Sequence, residues 1–156
     1  MREITSVASL RDQIGQEVAV SEWIDVTQTR IDQFAEATDD RQWIHVDPMR
    51  AATESPFGTS IAHGFLTLSL LTTLARRAMT VAGLVMAVNY GLNRVRFISP
   101  VPAGSRVRGH FSPAAVDDIT GGVQVTWNVV IEREGEDKRC CVAEWLVRYY
   151  GAIARD

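Results

Sequence analysis

The sequence has few of the features that mark several large classes of protein. Its 156 residues contain only two cysteines, and these are adjacent, Cys140 and Cys141. Because neighbours on a strand point to opposite faces, a disulfide between them would be strained. We therefore expect one buried and one outward thiol in a reducing compartment. The polar N-terminus and the interrupted apolar stretch 61–74 predict neither a signal peptide nor a membrane span. The sequence thus predicts a cytoplasmic protein without a membrane partner.

Excess positive charge is also missing, since the formal net charge is -3. A protein that binds the phosphate backbone needs a basic face, so we expect no nucleic-acid partner. The sequence has neither a Gly-x-Ser-x-Gly motif nor a Gly-rich phosphate loop. Its three histidines, His45, His63 and His110, fit no standard metal-ligand spacing, and Cys140-Cys141 lacks the intervening residues of a zinc knuckle. We expect no metal and no cofactor.

What the chain does contain is enough apolar residues, 46%, for one hydrophobic core. Its length predicts a single domain formed by residues 1–156. The clearest helix is predicted over Ser60–Met79, where apolar side chains surround nearly the whole helix and indicate that it is buried. A shorter helix is predicted after a cap at Thr27 or Thr29. Strands are predicted over 17–26, 84–98, 105–116, 122–133 and 139–150.

A buried helix followed by long antiparallel strands favours an α+β domain in which a curved sheet wraps the helix. This is the hotdog arrangement, although other folds that pack a sheet on a helix have the same pattern. The edge strand of such a sheet is prone to aggregation unless it is covered. A homodimer that continues the sheet or closes over the site would cover it.

The segment 39–59 has no regular period and contains several Pro and Gly residues, yet it is too apolar for disorder. Such a segment is expected to pack against the domain and to carry the functional site. It contains Asp40 and His45, and a carboxylate with an imidazole is suited to acid–base chemistry at an activated double bond. On spacing alone, a turn carboxylate and a hydrogen-bonded core histidine remain the more frequent interpretation.

Two further features allow a functional and a structural interpretation. Gly64 follows His63 at the predicted helix start, where unpaired N–H groups can stabilise an oxyanion, or where a glycine simply permits close packing. Four arginines alternate on two predicted strands and form either a solvated basic face or a binding site for coenzyme A phosphates. These arginines are Arg94, Arg96, Arg106 and Arg108.

The segments 34–47 and 57–65 together resemble the MaoC-type (R)-specific enoyl-CoA hydratases, and most closely their nodulation protein N-like branch. The resemblance implies a hotdog fold, a homodimer, and syn hydration of a trans-2-enoyl-CoA to the (R)-3-hydroxyacyl-CoA, a hydro-lyase reaction of fatty acid metabolism. It implies that Asp40 and His45 activate the water, while the amide of Gly64 polarises the thioester carbonyl.

Two positions depart from the family pattern. Asp39 replaces a glycine, and Gln42-Trp43 replaces Asn-Pro, which puts the chain-length preference in doubt more than the reaction type. Residues expected to contact the acyl-CoA substrate are Trp43, His63, Arg94 and Arg96. Two alternatives remain open at this point, an acyl-CoA thioesterase of the same fold and a non-catalytic acyl-CoA-binding module.

Overall fold

A computed structural model describes residues 1–151, and residues 152–156, the end of the predicted domain, lie outside the described residues. Within that range the strands are β1 (Arg2–Ile4), β2 (Ala19–Val20), β3 (Ile24–Val26), β4 (Met79–Val81), β5 (Leu84–Phe97), β6 (Ser105–Ile119), β7 (Gly122–Arg133) and β8 (Cys141–Gly151). The α-helices are α1 (Gln28–Thr38), α2 (Trp43–Val46), α3 (Pro48–Glu54), α4 (Gly64–Ser69) and α5 (Leu71–Ala78). A 3-10 helix covers Ala8–Gln13.

The main sheet is antiparallel and has the strand order β2-β6-β7-β8-β5, with β3 also paired to β6. A second, parallel pair joins β1 to β4. Every second residue is buried over 107–113 of β6, 125–131 of β7 and 141–149 of β8, as expected for a sheet with one face on a core. That face packs against α4 and α5, and Trp127 donates its indole N–H to the Tyr149 hydroxyl at 3.0 Å within the core. The predicted α+β class is confirmed.

The predicted helix over Ser60–Met79 differs from the observed elements. The helical backbone begins only at Gly64 and is divided at Leu70 into α4 and α5. Residues 60–62 are instead tied to the segment 101–103 by two backbone hydrogen bonds, from Ala62 N to Val101 O and from Ala103 N to Ser60 O. The helical pair is also not buried all round, because the Phe65 side chain is 67% exposed.

Other local predictions gave mixed results. Thr27 caps α1 as predicted, since its hydroxyl accepts from the Arg30 amide. The predicted strand 17–26 is interrupted at Ser21, whose hydroxyl accepts from Gly109 N. Both cysteines are buried, so the expected outward thiol was wrong. Cys140 precedes β8 and does not follow its alternation, and burial raises the pKa of both thiols to about 11.

Strand β5 has an unusual environment at one edge of the sheet. It pairs with β8 on one side, and residues 85–94 are exposed at consecutive positions, so both faces of the strand are open in the single chain. The exposed side chains include large apolar ones, namely Val85, Met86, Val88, Tyr90 and Leu92.

Among residues 1–151, no helix combines the length and apolarity needed to cross a bilayer.

The turn between β6 and β7 offers a test of this packing. A Cβ at Gly122 would lie 2.3 Å from the carbonyl oxygen of Tyr149, a backbone atom that cannot swing aside. Gly122→Ala is therefore expected to lower the free energy of unfolding by about 1–3 kcal/mol, measured by urea denaturation. Gly151→Ala is the matched control, because its Cβ would meet only Gly83 O, at 3.7 Å. Equal stability of the two variants would contradict the described register of β7 against β8.

Candidate active site

The site is built on a segment that we call the overhang, residues 39–54, which comprises a short loop, α2 and α3. It follows α1 directly, and Asp39 reverses the chain there with φ 58°, in the left-handed region where helices commonly end. The region was predicted to be irregular, but α2 and α3 have four and seven residues, too short to show a helical period. The Asp47 side chain caps α3 by accepting from Arg50 N at 3.0 Å.

His45 lies in α2 and is 7% exposed. Its Nδ1 lies 2.6 Å from the carbonyl oxygen of Ile61. A carbonyl only accepts, so Nδ1 carries the proton and the lone pair of the neutral ring is on Nε2. The Ile61 amide in turn donates to Ile44 O at 3.1 Å. The ring is therefore held by the segment before α4 in the tautomer that a general base at Nε2 requires.

His63 lies beside this ring and is 2% exposed. Its Nε2 lies 2.8 Å from the backbone carbonyl oxygen of Asp40, which fixes the proton of the neutral ring on Nε2. The His45 and His63 rings stack with centroids 3.8 Å apart and planes inclined by 27°. Within the described residues, His63 Nδ1 is buried without a hydrogen-bond partner. The two histidines therefore cross-link the overhang and the segment before α4.

The Asp40 side chain is exposed, and a carboxylate oxygen lies within 4.8 Å of a ring nitrogen of each histidine. Three such groups can ligate a metal ion when their lone pairs converge on one point. Imidazole lone pairs lie in the ring plane, and two rings stacked at 27° direct theirs along nearly parallel planes. The arrangement is therefore better suited to acid–base chemistry on a bound water than to holding an ion.

The environment of His45 favours its neutral form. Burial is the largest influence and lowers the pKa of His45, and the neighbouring His63 lowers it further. The Ile61 carbonyl and the Asp40 carboxylate act in the opposite direction, but the net pKa stays below the usual 6.5. At neutral pH the lone pair on Nε2 is therefore available to accept a proton.

His45 and Gly64 line the same cavity, which has a volume of about 260 Å³. Gly64 is the first residue of α4, so its N–H has no acceptor within the helix. The Phe97 ring lies directly over it, because a Cβ at Gly64 would come within 2.7 Å of that ring. The other residues around the cavity are mostly apolar: Phe57, Ile61, Ala62, Thr67, Ile98, Ser99, Pro100, Val101 and Cys140.

The four residues expected at the substrate occupy other positions. His63 is buried beside His45 and does not line the cavity. Trp43 is half-buried, with the Arg50 guanidinium 4.4 Å from its ring centroid. Arg94 and Arg96 are exposed on β5, and Arg94 lies 3.6 Å from Glu144. None of these four residues lines the cavity, so their positions do not assign them to substrate binding.

The second arginine pair is engaged elsewhere. Arg106 forms an ion pair with Glu134, and Arg108 forms one with Glu132. Both arginines lie on β6, which is separated from β5 by β7 and β8. For this pair the structure favours the solvated, ion-paired face over a phosphate site.

One residue that holds the site together carries no recognisable sequence motif. Gln28, at the start of α1, donates from Nε2 to the His45 carbonyl oxygen at 2.7 Å and to Asp32 at 2.8 Å. Its Oε1 accepts a hydrogen bond from the Ser60 hydroxyl. His45 and Ser60 are 17 and 32 residues away from Gln28, so no local motif could have revealed these two contacts.

Comparison with curated proteins shows close relatives over nearly the whole chain. The chain is 53% identical over 150 residues to 3-hydroxyacyl-thioester dehydratase Z of Mycobacterium tuberculosis, which covers 96% of this chain and 99% of the relative. It is 50% identical over 143 residues to nodulation protein N of Rhizobium leguminosarum bv. viciae, covering 90% of this chain and 89% of the relative.

Solved structures share the fold at lower sequence identity. An R-hydratase of Pseudomonas aeruginosa superposes with a TM-score of 0.71 at 21% identity, covering 96% of this chain and 88% of that one. The (R)-hydratase from A. caviae gives a TM-score of 0.65 at 23% identity, covering 86% and 94%. The hotdog fold is thereby confirmed. The family described as MaoC like domain matches residues 9–134, and the chain belongs to this family.

Proposed function

We propose that this chain is an (R)-specific enoyl-CoA hydratase that reversibly adds water to a trans-2-enoyl-CoA and forms the (R)-3-hydroxyacyl-CoA. The observation that carries the proposal is the single cavity shared by His45 and Gly64, with the Asp40 carboxylate beside the His45 ring. The 53% identical relative is named as a dehydratase of 3-hydroxyacyl thioesters, the same reaction in reverse. Residues 1–156 would form one catalytic domain.

The catalytic pair is spaced to hold one water molecule. The Asp40 carboxylate and a His45 ring nitrogen lie within 4.8 Å of each other. Two hydrogen bonds of about 2.8 Å through one water span up to about 5.5 Å, so a single water can contact both groups. His45 Nε2 accepts a proton from this water, and the Asp40 carboxylate orients the water and stabilises the imidazolium that forms.

The remaining atoms of the reaction balance around the same cavity. The water oxygen bonds to C3 of the enoyl group, and the π electrons move onto the thioester oxygen as an enolate. The Gly64 N–H stabilises the developing negative charge on that oxygen. The proton taken from the water is then returned to C2 on the same face, which gives syn addition. Dehydration follows the same path in reverse.

We also propose that the protein is a cytoplasmic homodimer in which a second copy covers β5. This strand exposes apolar side chains on both faces, and an uncovered edge strand of 14 residues is prone to uncontrolled pairing. Two grooves along the same strand, of about 310 and 630 Å³, are open in the single chain. Arg94 and Arg96 on this strand are proposed to contact the acyl-CoA, together with Trp43 of the overhang.

The catalytic pair is tested with purified protein and crotonyl-CoA, by following the loss of enoyl absorbance. Asp40→Asn and His45→Gln are each expected to lower kcat by about 10²- to 10⁴-fold, because each removes one partner of the proton transfer. Asp39→Asn is the control, since the Asp39 carboxylate is exposed and lies 3.7 Å from Arg41. Absence of hydration by the wild type, or release of free thiol instead, would reject the hydratase in favour of a binding module or a thioesterase.

A second prediction concerns the Gly64 amide. In Gly64→Ala the new methyl group displaces the Phe97 ring and disturbs the approach to the amide, so kcat/KM is expected to fall about tenfold or more. The double variant Gly64→Ala/Phe97→Ala removes the overlap and is expected to recover part of the loss. No recovery would mean that the methyl group itself, and not the displaced ring, keeps the thioester from the amide. Circular dichroism checks that each variant is folded.

The dimer is tested with two residues of similar exposure on different surfaces. Leu92 on β5 is 42% exposed, and Ile14 after the 3-10 helix is 48% exposed. Leu92→Glu is expected to convert the dimer to a monomer in light scattering coupled to gel filtration, whereas Ile14→Glu leaves the mass unchanged. A monomeric wild type would reject the dimer, and a dimeric Leu92→Glu variant would reject β5 as its interface.

A further inference from the structure

His63 contacts both residues of the proposed catalytic pair, Asp40 and His45. Its Nε2–H donates to the backbone carbonyl of Asp40 at 2.8 Å, and its ring stacks on the His45 ring at 3.8 Å. The Phe34 ring of α1 also lies 5.1 Å from the His63 ring, centroid to centroid. The imidazole is thus confined between α1 and the overhang, although its own residue belongs to the segment that leads into α4.

The hydrogen bond from His63 has a counterpart that runs in the opposite direction. His45 belongs to the overhang and donates to Ile61, in the segment before α4. His63 belongs to that segment and donates to Asp40, in the overhang. Each histidine therefore donates a hydrogen bond from one ring nitrogen to a backbone carbonyl of the other segment. The stacked rings lie between these two bonds, so displacement of one ring disturbs the other.

We propose that His63 is a positioning residue for the hydration reaction: it fixes the backbone of Asp40 and the ring of His45 relative to each other. This inference rests on the proposed function of the pair and replaces substrate contact as the role of His63. His63 does not line the cavity, so we expect substrate binding to be largely independent of it. The spacing of the carboxylate from His45, on which the bound water depends, is what His63 controls.

The groups that face His45 give a second measurable consequence. They are His63, Asp40 and the Ile61 carbonyl, with Cys140 elsewhere on the cavity wall. Burial lowers the pKa of His45 most, and His63 contributes in the same direction. Because the base must be neutral, activity falls as the pH drops through this pKa, which in the wild type lies below 6.5. Removing His63 takes away one influence that lowers the pKa of His45, so we expect this decline to move to higher pH.

Two variants separate the contacts of His63. His63→Phe retains a flat ring but has no donor for the Asp40 carbonyl, and His63→Gln retains a donor but has no ring to stack. Both are expected to lower kcat for crotonyl-CoA by about 10- to 100-fold with KM changed less than about threefold, since small misplacements of a reacting group have effects of this size. His110→Gln is the control, because His110 lies on β6 and contacts Glu17 and Glu132.

An NMR titration of the His45 ring in the substrate-free protein provides a readout that needs no turnover. The pKa of His45 is expected to be higher in His63→Phe than in the wild type and unchanged in His110→Gln. A rise in KM at unchanged kcat would overturn the proposal and return His63 to substrate binding. Unchanged kcat and unchanged His45 titration in folded variants would overturn it as well. If the wild type hydrates no enoyl-CoA, the proposed function fails, and the titration still decides whether His63 controls His45.

Discussion

The site depends on two hydrogen bonds that connect the overhang to the residues before α4, from His45 to the Ile61 carbonyl and from His63 to the Asp40 carbonyl. The first links residues 16 positions apart and the second links residues 23 positions apart. Each satisfies a backbone carbonyl that helix or sheet pairing leaves free. The overhang has only short helices of its own, so these bonds and the Gln28 amide determine where its carboxylate and imidazole lie. They also set the tautomer of both rings, and with it the nitrogen on which His45 offers a lone pair.

The strands β6, β7 and β8 could be predicted because they are rich in Val and aromatic residues and bounded by turn residues, and burial alternates over 107–113, 125–131 and 141–149. The Thr27 cap was equally local, since it needs only one side chain and the first turn of α1. The start of α4, in contrast, could not be predicted from the local sequence. Residues 60–62 are apolar enough to extend a helix, but their backbone groups bond to 101–103, a segment some 40 residues away. Tertiary hydrogen bonds thus overrode a helical pattern, and no inspection of 60–79 alone could have shown it.

The same distinction applies to the site. Asp40, His45 and Gly64 were identified through a family resemblance, and the structure places Asp40 near the His45 ring and Gly64 on the cavity that His45 lines. The positioning role proposed for His63 could not be inferred in this way, because a histidine at a helix start is equally consistent with a substrate contact. Its role depends on the orientation of a buried ring, which only the packing of α1, α2 and α4 determines. Gln28 is a similar case, since an amide at a helix start has no distinctive pattern.

Strand β5 connects the proposed dimer to the proposed chemistry. The strand is open on both faces along residues 85–94, and it ends at Phe97, whose ring lies over Gly64. Phe65, the residue after Gly64, makes an edge contact with the same ring at 5.8 Å. A second copy that covers β5 as proposed would therefore lie next to Phe97, which also lines the cavity shared by His45 and Gly64. In the proposed dimer a change in subunit association would act on Phe97 and Gly64, whereas the Asp40–His45 pair lies in the overhang and not on β5, so the proposed dimerisation and proton transfer depend on different parts of the domain.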